Sequence, residues 1–289
     1  MKFLRRISIF FSLFKEAFFQ FIDYNGLKLS AALSYYTVFS LGPFLIIIIS
    51  LVGVFLGRQA VEGKVYSQLS GLVGRESALQ IQEIIQNIQH ANHGPIGSII
   101  GFIILIIGAS GVFSEIQDSL HFIWATRKTT KSGWLQLIIR RLLSFSLLLG
   151  MAFILLLSLL VNMLVELLNT YLKKYFSDSF IKFFYIANIA VIFLIITILL
   201  TLIFKILTNA IIRWRDAVVG SVMTAFLFLL GKFIVGFYLS KSSVGSTYGT
   251  AASIVIVMLW VYYSSIILYF GACFTKVYAK YFGHEIRPE

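Results

Sequence analysis

The sequence predicts an all-α polytopic membrane protein. Six transmembrane helices are expected, with a short N-terminal interfacial helix and one amphipathic helix on the far side of the bilayer. Three observations predict this. First, 59% of the 289 residues are hydrophobic and only 12% are charged, against roughly 25% charged in soluble domains. With a mean hydropathy of +0.91, too little polar surface remains to cover a water-soluble globule. Second, several apolar runs reach the roughly 20 residues that a bilayer crossing needs. Third, Lys and Arg gather at alternate ends of those runs, as topology signals do.

Residues 1–24 read as the interfacial helix. Lys2, Arg5, Arg6, Ser12, Lys15, Glu16 and Gln20 fall near one helical face, and Phe3, Phe10, Phe11, Phe14, Phe18 and Phe21 cover the rest. That pattern fits a helix lying on an anionic leaflet. Lys15 and Glu16 interrupt the apolar run and no small-residue cleavage site follows, which argues against a signal peptide.

Residues 25–282 read as the transmembrane domain. The first span covers about 29–57 and begins with small and hydroxylated residues around Ser30, Ser34, Tyr35 and Tyr36. Such residues let helices approach closely and exchange hydrogen bonds. Pro43 removes a backbone donor in mid-span and is expected to kink it. Residues 58–94 are polar, and Ile81, Ile84, Ile85 and Ile88 form one helical stripe, so an external amphipathic helix is expected there. The second span, 95–113, is glycine-rich and leads through Glu115, Asp118 and Trp124 into a basic loop at 127–131. Spans three to six cover about 135–168, 181–206, 217–239 and 251–281, and residues 283–289 form a tail.

Six spans put both termini on one side. That side holds most of the Lys and Arg residues, so it is assigned to the cytoplasm. Trp124, Trp134 and Trp214 fall where an aromatic belt at that interface would stand. The formal charge of +12, placed beside apolar spans, points to anionic membrane lipid as partner and away from nucleic acid. Cys273 is the single cysteine, so no internal disulfide or thiolate cluster can form. His90, His93, His121 and His284 are scattered, with no ligand-spaced partners, so no metal and no cofactor is expected. No phosphate-binding loop, nucleophile elbow or zinc-protease motif is present, and the chain reads as a non-enzyme.

Polar residues inside apolar spans are the candidates for function, because hydrocarbon penalises them unless they face protein or water. Tyr35, Tyr36, Asp118, Arg215, Asp216, Lys232 and Tyr263 are the candidate substrate-path residues. Asp216 stands in the first turn of a helix, where an acid interacts well with the dipole, and Arg213 or Arg215 is its expected partner. Glu115 and Asp118, near Gln117 and His121, read either as a solvated helix end or as a site for a cation or head group. Lys232 lies within the fifth span, and it either lines a polar cavity or snorkels to the interface. Pro43, Gly220, Gly249 and Gly271 are read as kink and packing positions.

Four stretches carry a family resemblance: Ala32-Leu33-Ser34-Tyr35-Tyr36 through Leu41-Gly42-Pro43; Gln117-Asp118-Ser119-Leu120 through Ile123-Trp124; Trp214-Arg215-Asp216-Ala217-Val218-Val219-Gly220; and Tyr248-Gly249 through Leu259-Trp260-Val261-Tyr262-Tyr263 to Gly271-Ala272. Together they resemble the YihY/virulence factor BrkB family of bacterial inner-membrane proteins, once labelled ribonuclease BN. The resemblance implies a six-helix inner-membrane protein and, for some members, movement of lipids or other amphiphiles across the membrane or to a periplasmic transfer protein. The ribonuclease label finds no metal cluster in this sequence to support it. One departure stands out: this chain has Gly271-Ala272-Cys273 where the family usually carries Gly-Ala-Glu. The leading expectation is therefore a transporter or flippase-like protein for a lipid or amphiphile. The alternative is a non-transporting scaffold that docks an envelope partner through residues 58–94, and a ribonuclease is the remote one. Substrate, coupling ion and oligomeric state are not legible in the sequence.

Overall fold

The computed structural model describes residues 2–40, 79, 82, 111–126, 178–208, 210–241 and 252–288. Helix α1 covers Lys2–Asp23, within the limits expected for the N-terminal helix. It ends at Tyr24-Asn25, where Asn25 takes a positive φ of 53°. Asn tolerates that left-handed conformation better than most residues, so the chain turns at once into α2, helical over 26–40. Gly26 lets this corner close, because a Cβ there would overlap the Phe21 ring.

Helix α3 is helical over 111–124 and ends in a Schellman turn, with Thr126 N–H bonded to His121 O and Ala125 N–H to Phe122 O. Helix α4, Asp178–Leu202, widens into a π-helical turn at Ile203–Leu207. Helix α5 covers Trp214–Lys241 and α6 covers Ala252–Tyr281. The last three helices hold stretches long and apolar enough to cross a membrane: Ile189–Leu207, Trp214–Val235 and Ile254–Tyr281. They coincide with the fourth, fifth and sixth expected spans. Pro43, Gly249, the third span and nearly all of the 58–94 segment lie outside the described residues.

The α5–α6 contact is built from two matching motifs, Gly220-x-x-x-Thr224 and Gly271-x-x-x-Thr275. Gly220 receives the Thr275 side chain, and Gly271 receives the Thr224 side chain. Each threonine hydroxyl donates back to its own glycine's carbonyl, at 2.7 Å in both helices. The antiparallel pair is thus notched reciprocally, which brings the two backbones close.

Helix α1 packs against the C-terminal half of α6. Leu13, Ala17 and Phe21 recur at helical spacing and are buried there. Phe14 and Phe21 meet the Phe270 ring at 4.9 and 6.3 Å, and Phe10 meets Phe274 at 5.8 Å. A second face, Phe11, Phe18 and Ile22, is exposed and apolar. A third, Ser12, Glu16 and Asp23, is exposed and polar. The helix therefore has three faces, where the sequence pattern had separated only two.

The tail does not simply extend from α6. Gly283, with φ 74°, ends the helix in a second Schellman turn. The chain then folds back so that β2, Arg287–Pro288, pairs antiparallel with β1, Ala210–Ile211. The α1–α2 corner, the ends of α3 and α4, the start of α5 and the end of α6 all gather at one end of the bundle, tied by the contacts below.

Candidate functional site

Two polar clusters occupy this end. The first surrounds Asp216. Its carboxylate is buried, with 1% of the residue exposed. Its partner is His284 from the tail, with Nδ1 at 3.4 Å from Oδ2, and not Arg213 or Arg215. Arg213 instead reaches His284 Nε2, at 2.6 Å. Because a guanidinium only donates, Nε2 accepts and Nδ1 carries the proton; Nδ1 lies near Asp216 Oδ2 without a hydrogen bond between them. The order is thus arginine, histidine, carboxylate. Arg215 is exposed. Close by, Lys205 from the π turn donates to Ile212 O at 2.5 Å and lies 5.8 Å from the Trp214 ring centroid. Trp214 is exposed, as an interfacial tryptophan would be.

The second cluster runs between α3 and α6. Trp124 is not a belt residue: it is buried, and its indole N–H donates to Ala272 O at 3.0 Å. Its ring also meets Phe204. Apolar neighbours on α4 and α6 claim it before the interface can. Lys276 donates to Tyr24 Oη at 2.7 Å and to Ile123 O at 2.6 Å. The Ile123 carbonyl is one of the groups that a helix end leaves without an intrahelical donor, so this lysine closes α3 and pins the α1–α2 corner to α6. Higher on the same faces, the Ser119 hydroxyl donates to Glu115 Oε1 at 3.1 Å. Tyr269 is fully buried beside them; its hydroxyl lies within reach of Ser119, but no hydrogen bond of ordinary geometry ends on it among the described residues. Burial pushes the Glu115 carboxyl above the usual 4.5; the Asp118 carboxylate pushes it the same way, while the Ser119 hydroxyl opposes. Cys273, one turn beyond Tyr269, is a buried free thiol.

The sequence candidates are not brought into one site. Asp118 is exposed, on the side of α3 away from the buried stripe of Ile116, Leu120 and Ile123. Tyr35 is exposed and its ring meets Phe39 at 4.7 Å in a tilted pair, and Tyr36 packs its ring against Gly111 on α3. Lys232 and Tyr263 are each half-buried, and the Tyr263 hydroxyl packs against Gly231, the residue before Lys232. Tyr269, Lys276 and His284 were not singled out as site residues from the sequence, and Glu115 was weighed there only together with Asp118. For Glu115 a signal exists. At 3.6 residues per turn it stands roughly 60° closer than Asp118 to the Ser119 flank of the buried stripe.

The family model for Virulence factor BrkB matches residues 17–289. The chain belongs to the virulence factor BrkB family. Among similar BrkB-type chains is a UPF0761 membrane protein of Pseudoalteromonas atlantica, 27% identical over 277 residues, covering 95% of this chain and 88% of the relative. UPF0761 membrane proteins of Stenotrophomonas maltophilia (strain R551-3) and Teredinibacter turnerae are 24% and 25% identical, covering 91% and 92% of this chain. The chain spans only 59% and 60% of those two relatives' own lengths. No solved structure matches it. The relatives are named as membrane proteins, in agreement with the three apolar helices of the bundle.

Proposed function

We propose that this BrkB-family protein is a transporter or flippase-like protein that moves a lipid or other amphiphile across the bacterial inner membrane. In this reading the chain crosses the membrane six times, both termini face the cytoplasm, and it performs no covalent chemistry. The observation that carries the proposal is Lys232. It lies half-buried inside the Trp214–Val235 span, next in sequence to Gly231, against which the Tyr263 hydroxyl packs. A charge at such a position marks a polar path, because hydrocarbon penalises it strongly. The exposed basic groups Lys28, Arg213, Arg215, Lys280 and Arg287 stand at the gathered end. They support the same reading, since a cytoplasmic rim of this kind attracts anionic head groups. Hand-over to a periplasmic lipid-transfer partner would follow on the other side.

Reconstitution tests this. Full-length protein in liposomes should move a fluorescent anionic phospholipid between leaflets, read by chemical quenching of the outer leaflet. Lys232→Met should slow that movement at least tenfold without changing the amount of folded protein. If wild-type vesicles match protein-free vesicles with anionic and zwitterionic lipids alike, the transport reading falls.

A further inference from the structure

We propose that Glu115, Ser119 and Tyr269 form a proton-binding site between α3 and α6. The inference goes beyond lipid movement and does not rest on it. Glu115 and Ser119 stand one helical turn apart on α3. The serine hydroxyl already donates to Oε1, at 3.1 Å. Facing them from α6 is the Tyr269 hydroxyl, fully buried and within reach of Ser119, with no hydrogen bond of ordinary geometry ending on it among the described residues. A buried hydroxyl normally finds a partner, and one that lacks it calls for an explanation. A carboxyl that changes protonation supplies one. A hydroxyl both donates and accepts, so Tyr269 can donate to the Glu115 carboxylate or accept from the neutral acid.

The surrounding groups favour a proton over a metal cation. The Ser119 hydroxyl already donates to Oε1, and among the described residues no third acid, histidine or cysteine joins Glu115 and Asp118 in a group that could hold a metal ion. Asp118 is the other acid near Glu115, and it lies exposed on α3. On α6 the titratable neighbours are Tyr269 itself, Cys273 and Lys276, and the lysine is engaged by Tyr24 and Ile123. Tyr36 of α2 packs at Gly111, one turn before Glu115. A single half-buried carboxylate faced by neutral hydroxyls takes up a proton from bulk water to become neutral. As the neutral acid it can donate to Tyr269 Oη, which would tie α3 to α6. Loss of the proton removes that bond.

Infrared difference spectroscopy of the full chain in lipid nanodiscs, titrated with acid, tests the site. A C=O band of a protonated carboxyl should appear at a midpoint above the ordinary glutamate value. It should vanish in Glu115→Gln. In Tyr269→Phe, which has no hydroxyl bond to lose and should fold, the band should remain but shift to the frequency of a less strongly hydrogen-bonded acid. Asp118→Asn should keep the band and lower its midpoint. The proposal is overturned if the band survives Glu115→Gln, if its frequency is the same in Tyr269→Phe, or if its midpoint follows sodium concentration.

Discussion

Gly220→Ala should destabilise the protein, although a helix interior ordinarily gains about 1 kcal/mol from that change. The reason is the notch it fills. A Cβ at position 220 would stand 2.9 Å from Thr275 Cβ and 3.2 Å from Cγ2, and would overlap Oγ1. Thr275 cannot swing away freely, because its hydroxyl is bonded to Gly271 O at 2.7 Å. Breaking that bond costs about 1 kcal/mol, and forcing a methyl into a packed contact costs about 1–3 kcal/mol. Set against the propensity gain, the net loss is about 1–3 kcal/mol. Reversible unfolding of the full chain in mixed micelles with increasing denaturing detergent measures it. The partner change decides the cause: with Thr275→Ala in the background, Gly220→Ala should lose the part of its penalty that comes from Oγ1 and Cγ2, a coupling of about 1 kcal/mol, and keep the part that comes from the 2.9 Å contact with the remaining Cβ. The reciprocal pair, Gly271→Ala with Thr224→Ala, should behave alike. A stabilising Gly220→Ala, or a penalty indifferent to residue 275, would refute the notched packing.

Three further outcomes are expected. Ala125→Gly should stabilise the protein by about 1 kcal/mol in the same unfolding assay, because Ala125 holds a positive φ of 53° that glycine adopts without strain. Lys276→Met should lower stability by about 2–3 kcal/mol, since it leaves the Ile123 carbonyl and the Tyr24 hydroxyl without their charged donor; proteolysis near the α1–α2 corner should rise with it. Glu115→Gln should remove a pH dependence. The folded-state carboxyl is raised from 4.5, so the folded state holds the proton more tightly than the unfolded chain. The wild type should therefore lose stability as pH climbs from 4.5 through the raised value. The variant should be flat over that window and more stable above it, and a matching slope in both proteins would contradict the burial of Glu115.

Long apolar runs and terminal polar punctuation were sufficient to place several elements. The apolar stretches Ile189–Leu207, Trp214–Val235 and Ile254–Tyr281 overlap the fourth, fifth and sixth expected spans, because length and hydropathy are local properties of the chain. The functional residues were less legible. Asp216 stood out from the sequence as an acid in a first helical turn with Arg213 or Arg215 as its expected partner, yet its partner is His284, which arrives only because the tail turns at Gly283. Asp118 looked as eligible as Glu115, and only the direction of the buried stripe on α3 separates them. Trp124 read as an interfacial residue, but α4 and α6 cover it.

The sequence by itself determined that this chain is a helical membrane protein of the BrkB type, where its last three spans lie, and which residues are out of place in hydrocarbon. Those conclusions need only composition, run length and motif order. Only the tertiary structure decided which face of each helix meets which neighbour. Trp124 bonds to a carbonyl 148 residues away, Gly220 and Gly271 each accept a threonine from the opposite helix, and Glu115 is turned toward Tyr269 while Asp118 is turned out. Such pairings depend on how helices cross, and a helical period fixes the spacing of residues on a face without naming the partner that covers it.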